Sequence, residues 1–194
     1  MKKKCLIITL LVIEFLNSYS QTAELKPFTT KGSKLIVEEL VDLHNPIVTK
    51  KCIFSAFLKS FEPNDEHDFR LVDKEAGKIL LATTMHNTPV RKDDLFVIDL
   101  ITDFKAQSGM YKLTVLVDNA RIITSKLPDS AHVKTIVKID LARINNDFFY
   151  DKKITKYKRE LAAQYLIEAN EIIYRFIGYI KTEVNRRALV TLEL

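Results

Sequence analysis

The C-terminal stretch limits the fold more than any other part of the chain. Tyr157, Leu161, Tyr165, Ala169, Ile172, Phe176, Ile180 and Val184 recur every three or four positions, and Leu166, Ile173 and Ile177 widen the stripe. That spacing places them on one side of an α-helix. The pattern predicts one helix from about Ile154 to Val184, about 45 Å long at 1.5 Å per residue. Gly178 is its weak point, about 1 kcal/mol worse than Ala in a helix interior. Such a stripe needs a broad apolar surface to cover it. A small four-stranded sheet falls short of that length, so the helix is expected to overhang. Ile173, Phe176, Ile177 and Ile180 would then face a partner or a second copy of the chain.

The cover comes from upstream strands. Lys34 to Leu43 reads as a strand through Leu35, Val37, Val41 and Leu43, with Glu39 breaking the alternation; a helix through Ile36, Leu40 and Leu43 is the competing reading. Asn45-Pro46 predicts a helix start, with Asn as N-cap and Pro at the first helical position. Phe54, Phe57, Leu58 and Phe61 give that helix its core stripe, and Pro63-Asn64 ends it. Four strands follow: Phe69 to Asp73, Lys78 to Met85, Leu95 to Lys105 and Met110 to Val117. Gly77 and Gly109 close their tight turns, and such short connections make the pairs antiparallel. Asp118-Asn119 reads as another turn. Arg121 to Thr124 reads as a short extended piece and Val133 to Leu141 as a further strand, broken by Asn145-Asn146-Asp147.

The N-terminus reads as an export signal. Lys2, Lys3 and Lys4 precede an apolar run from Cys5 to Ile13, extended by Phe15 and Leu16, and Ser18-Tyr19-Ser20 offers small residues for cleavage after Ser20. The run is short for a membrane span, and Glu14 interrupts it. Residues 21–33 form a polar leading segment, expected to be loosely ordered, and residues 34–194 form one α+β domain. Removing the signal leaves 27 basic and 24 acidic residues, or +3. That is too mild to point to nucleic acid. Of the two cysteines, only Cys52 would remain, so a disulfide framework is excluded, as is a Cys-rich zinc site.

The order strand, helix, meander, long helix, together with Phe69-Arg70-Leu71-Val72-Asp73-Lys74-Glu75-Ala76-Gly77-Lys78-Ile79-Leu80-Leu81 and Met110-Tyr111-Lys112-Leu113-Thr114-Val115, resembles a Bacteroidota family of exported proteins of unknown function. The resemblance implies a TATA-box-binding-protein-like α+β fold, with the helices packed on one face of an antiparallel sheet. It covers roughly residues 34 to 118 and the last helix, and it brings no catalytic residues. The fold name implies no DNA binding, because function belongs to sites.

Chemistry-bearing patterns are sparse. His44, His67, His86 and His132 are not spaced as metal ligands, and Asn64-Asp65-Glu66-His67-Asp68 lacks calcium-loop spacing. No nucleophile elbow, phosphate loop or dinucleotide fingerprint occurs. No cofactor or metal is expected. Lys152, Lys153, Lys156, Lys158 and Arg159 form a basic cluster entering the last helix. A solvated helix face is its first reading, and an acidic partner or an anionic membrane surface comes second. The function these observations favour is a noncatalytic, exported binding module of the cell envelope. Its binding residues would be Ile173, Phe176, Ile177 and Ile180 with Lys152, Lys153, Lys156 and Arg159. The alternative is a small-ligand binder or enzyme using a site between the sheet and the 86–94 and 125–132 loops, where His86, Asp94 and His132 would be tested.

Overall fold

The computed structural model describes residues 25–61, 67–87, 94–126 and 133–190. Within them lie strands β1 (Thr29–Lys31), β2 (Lys34–Asp42), β3 (His67–Asp73), β4 (Lys78–Asn87), β5 (Asp94–Gln107), β6 (Met110–Lys126) and β7 (Val133–Ile139), and helices α1 (Lys50–Ser60), α2 (Leu141–Tyr150) and α3 (Lys156–Val190). The strands form one sheet in the order β1-β2-β6-β5-β4-β3, and β7 pairs with β6 beyond the end of β2. Every pairing is antiparallel. The fold class is therefore α+β, as the sequence implies.

Alternation assigns the two faces. In β5, Phe96, Ile98, Leu100, Thr102, Phe104 and Ala106 are buried. They share one core with Ile79 and Leu81 of β4, Tyr111, Leu113 and Val115 of β6, and the inner faces of the helices. Phe57 of α1 stacks on Phe104 with ring centroids 4.1 Å apart. The opposite face carries the ion pairs Lys112–Glu38 (3.1 Å), Lys78–Asp103 (3.1 Å) and Arg121–Asp99.

The last helix does not overhang. Its buried residues run from Ala162 to Ala188, and Ile172, Ile173 and Ile180 are fully enclosed. The expected docking stripe of Ile173, Phe176, Ile177 and Ile180 is thus core, each side chain worth roughly 1.5–3 kcal/mol of burial. The expectation failed because the sheet is larger than four short strands. A 17-residue β6 spans about 56 Å, and a 35-residue α3 spans about 52 Å. Polar contacts fix α3 along that length. Arg175 donates to the His86 carbonyl (3.1 Å), Tyr179 to the Ser60 carbonyl (3.1 Å), and Tyr111 to Asn185 (2.9 Å). Lys181 meets Glu39 at 2.8 Å. Glu39 therefore interrupts the apolar alternation of β2 because it points toward α3 and is paired there.

Further expectations change. Asp118-Asn119 is no turn: β6 runs straight through it, and the register skips between Asn119 and Val117 opposite Asp99 and Leu100. Asp118 is the extra residue of a β-bulge. Val133–Ile139 does form a strand, with Asp140 capping α2 through the Arg143 N–H (2.9 Å). Asn145, Asn146 and Asp147 lie inside that helix rather than ending a strand. The first helix is capped by Thr49, whose hydroxyl accepts the Cys52 N–H at 3.3 Å. Asn45 instead closes a turn onto Ile47 (3.1 Å). The leading segment is partly built in: β1 pairs with β2, and Phe28 is held at both its N–H and its carbonyl by the buried Asn145 (3.0 and 3.2 Å). Residues 1–20, where a signal is expected, lie outside the described residues.

Candidate functional site

Two surfaces stand out among the described residues. One is the junction of α2 and α3. A groove of about 380 Å³ opens there, floored by Ile144, Ile154, Leu161, Ala162 and Tyr165 and edged by Arg143, Lys153, Lys158, Asp147 and Asp151. Asp140 starts α2, and the carbonyl of Thr155 accepts from Arg159 (2.9 Å) in the opening turn of α3. Tyr150 and Tyr157, chain neighbours of the edge residues Asp151 and Lys158, have 69% and 70% of their surface exposed.

Cations outnumber anions at this junction, although Asp147 and Asp151 share the groove edge with Arg143, Lys153 and Lys158. From Asp151 to Arg159, five cations stand against one anion, and α3 has no acidic residue in its first turn. The N-terminus of a helix carries partial positive charge, so each cation placed there is disfavoured by about 0.3–1 kcal/mol. Lys156 lies 3.9 Å from Glu160, and Arg143 3.6 Å from Asp147; both are surface pairs that contribute little. Lys152, Lys153, Lys156 and Arg159 are all exposed, and the structure brings Lys153 to the groove. Ile173, Phe176, Ile177 and Ile180 are separated from it by burial.

The second surface is the open face of the sheet. A depression of about 360 Å³ crosses β3, β4, β5 and β6, lined by Asp68, Arg70, Ala82, Thr84, Asp99, Ile101, Asp118 and Arg121. Asp99 is its best-connected group. It accepts from Thr84 (2.9 Å), Asn119 (3.2 Å) and Arg121. Burial pushes its carboxyl upward, but the Arg121 guanidinium, the Thr84 hydroxyl and the Asn119 amide outweigh that, and the group is held below the usual aspartate range. Sequence reading passed over this face because its members lie far apart in the chain and fit no spacing motif.

Of His86, Asp94 and His132, named for the alternative site, only His86 has a described side chain. His86 is exposed on β4, its carbonyl taken by Arg175. Residues 88–93 and 127–132, His132 among them, lie outside the described residues, as do residues 64–66 of the acidic cluster. Cys52 is half-buried beside Thr49, and His44 is exposed, 3.6 Å from Asp42. Among the described residues, no three His, Cys, Asp or Glu side chains gather as a metal site, and no helix is long and apolar enough to cross a membrane.

No protein-family model and no curated protein sequence matches the chain. Solved structures do. A DUF4468 family protein from Bacteroides ovatus is similar over 79% of this chain and 90% of its own, with 10% identity and a TM-score of 0.51. A TBP-like protein from Parabacteroides distasonis is similar over 81% of this chain and 99% of its own, with 12% identity and a TM-score of 0.48. Both come from Bacteroidetes species, and the likeness is one of fold.

Proposed function

We propose that this chain is a noncatalytic binding module that acts in the cell envelope after export and grips an acidic protein segment at the α2–α3 junction. The carrying observation is the concentration of cations where the helix dipole disfavours them, with no acidic residue in the first turn to offset it. Sequences breach such local rules mainly where a site needs it. An apolar floor, a charged edge with cations in slight excess and two exposed tyrosines suit a protein interface with a polar rim, and opposite charge speeds and orients association. This surface takes the place of the buried stripe as the binding face.

The test is photocrosslinking in native cells from a reactive side chain at Tyr157, with one at Lys105 on the open sheet face as control. The expected result is a discrete adduct from position 157 alone. It disappears when Lys152, Lys153 and Lys156 are replaced by Glu, exchanges that leave the unfolding midpoint within about 2 °C because all three are exposed. Equal crosslinking before and after charge reversal would sink the proposal. Salt-sensitive binding to anionic vesicles with no protein adduct would replace it with the membrane reading. Export is tested separately, by intact mass: the leader from Lys2 to Ser20 supports a mature chain beginning at Gln21, and a chain retaining residues 1–20 would refute it.

A further inference from the structure

We propose that the depression on the open sheet face is a second binding site, for a small zwitterionic ligand of the amino-acid or short-peptide class held by both charged ends. Two independent features converge there. The first is backbone irregularity. Phe69 pairs with Leu81 and Leu71 with Leu80, which leaves Arg70 as the extra residue of a bulge in β3. Asp118 is the extra residue of the bulge in β6. The sheet thus has two register shifts in pairings on either side of the depression, and both unpaired residues line it. Bulges re-aim side chains and gather beside functional sites.

The second feature is the layout of charge. Each end of the depression holds a guanidinium and a carboxylate: Arg70 with Asp68 on β3, and Arg121 with Asp118 on β6. Between them the floor is the small Ala82, paired with Ile101. The outer strands are three spacings apart, about 14 Å between backbones, and the arginine side chains shorten that gap from both sides. Arg70 Nε lies 4.0 Å from Asp68, a loose ion pair beyond hydrogen-bond reach, so among the described residues its fork keeps donors that a ligand carboxylate could take. Arg121 is oriented by Asp99, which Thr84 and Asn119 hold in place. Asp118 is shared with Lys34 and keeps acceptor capacity for an ammonium group. Arg121 is already engaged by Asp99, which leaves Arg70 as the open cation at one end and Asp118 as the open anion at the other, so a ligand of one charge sign would be matched at one end only. A zwitterion satisfies each end with the opposite group, and about 360 Å³ lies in the range that holds small ligands.

The test is an NMR titration of isotope-labelled protein with tri-L-alanine. The expected result is saturable shifts at the Ala82, Thr84 and Ile101 amides. Blocking either terminus of the peptide weakens binding about tenfold, the loss of one charge-assisted contact. Arg70→Ala does the same while leaving the unfolding midpoint within about 2 °C. If that variant loses stability, Asp68→Asn carries the test instead. The proposal is overturned by an absence of saturable shifts on this face, by equal binding of the doubly blocked peptide, or by inorganic phosphate binding at the same amides as well as the tripeptide does. Charge reversal at Lys152, Lys153 and Lys156 leaves this titration unchanged, so this site and the α2–α3 groove stand or fall separately.

Discussion

Asn145 gives the sharpest test of how the N-terminal segment is held. It is fully buried in α2, and among the described residues its amide binds the backbone of Phe28 alone, accepting the N–H at 3.0 Å and donating to the carbonyl at 3.2 Å. Asn145→Ala removes both bonds. Each contributes about 0.5–1.5 kcal/mol net, and the stranded Phe28 groups add a desolvation penalty, so the expected loss is about 2–4 kcal/mol. For a chain of this size that lowers the unfolding midpoint by about 4–16 °C. Asn145→Asp separates the terms. It keeps the acceptor but faces the carbonyl with a second acceptor and buries a charge, so it falls at least as far at neutral pH. It recovers in acid, where the protonated form can donate again. The assays are urea unfolding and amide exchange at Phe28. An alanine variant within about 0.5 kcal/mol of the parent, with unchanged exchange at Phe28, would refute the account.

Other substitutions probe other features. Thr83 and Thr102 bury hydroxyls that have no hydrogen-bond partner among the described residues; Thr→Val at either should stabilise by about 1 kcal/mol in chemical denaturation, and a loss would reveal a hidden partner. Gly178 is an exposed helical position where an added Cβ meets nothing within 4 Å, so Gly178→Ala should gain about 0.5–1 kcal/mol. Gly77→Ala should lose more than that, because φ is +69° and the Cβ would sit 3.0 Å from the Ala106 carbonyl oxygen. Ile173→Glu should abolish cooperative unfolding by placing a charge in the core; a folded variant would restore the exposed-stripe reading. Asp99 has a depressed folded-state pKa. The stability it contributes is complete above the ordinary aspartate value, near pH 4, and fades as pH falls below that through the folded-state value. Asp99→Asn should therefore flatten the acid limb of the stability profile.

Periodicity made most of this architecture readable. The last helix and the meander strands carry unambiguous spacing over many residues, and Gly77 marks its turn by a requirement for positive φ. The parts that were missed share a cause. Asp118-Asn119 has turn chemistry, yet pairing on both flanks carries the strand through it as a bulge. The triplet Asn145-Asn146-Asp147 has the composition of a breaker, but Asp140 caps the segment and Leu141, Ala142 and Asn145 are buried. Asn45-Pro46 imitates a helix start that Thr49 supplies one turn later. In the first case strand pairing, and in the second burial with a local cap, overrode a local preference; in the third a nearby residue supplied the cap instead. Of the candidate sites, the basic cluster was legible because its members are adjacent in sequence. The sheet-face depression was not, because Arg70, Asp99 and Asp118 meet only through strand pairing.

The strand order has a consequence for how the molecule forms in time. β3 to β6 can pair through short hairpins as soon as they exist. β2 must wait for β6, since Ile36 meets Leu116 and Asp42 meets Met110. α1 waits longer still for α3, as the Tyr179–Ser60 contact spans 119 positions. Closing such loops before they are rewarded slows folding relative to local topologies. The core therefore closes last from its two ends, and an amino-terminal half released alone would expose Phe57, Ile79 and Leu81 without cover. If the chain is exported as an unfolded polypeptide, that delay would favour it, because the core cannot close before α3 is present.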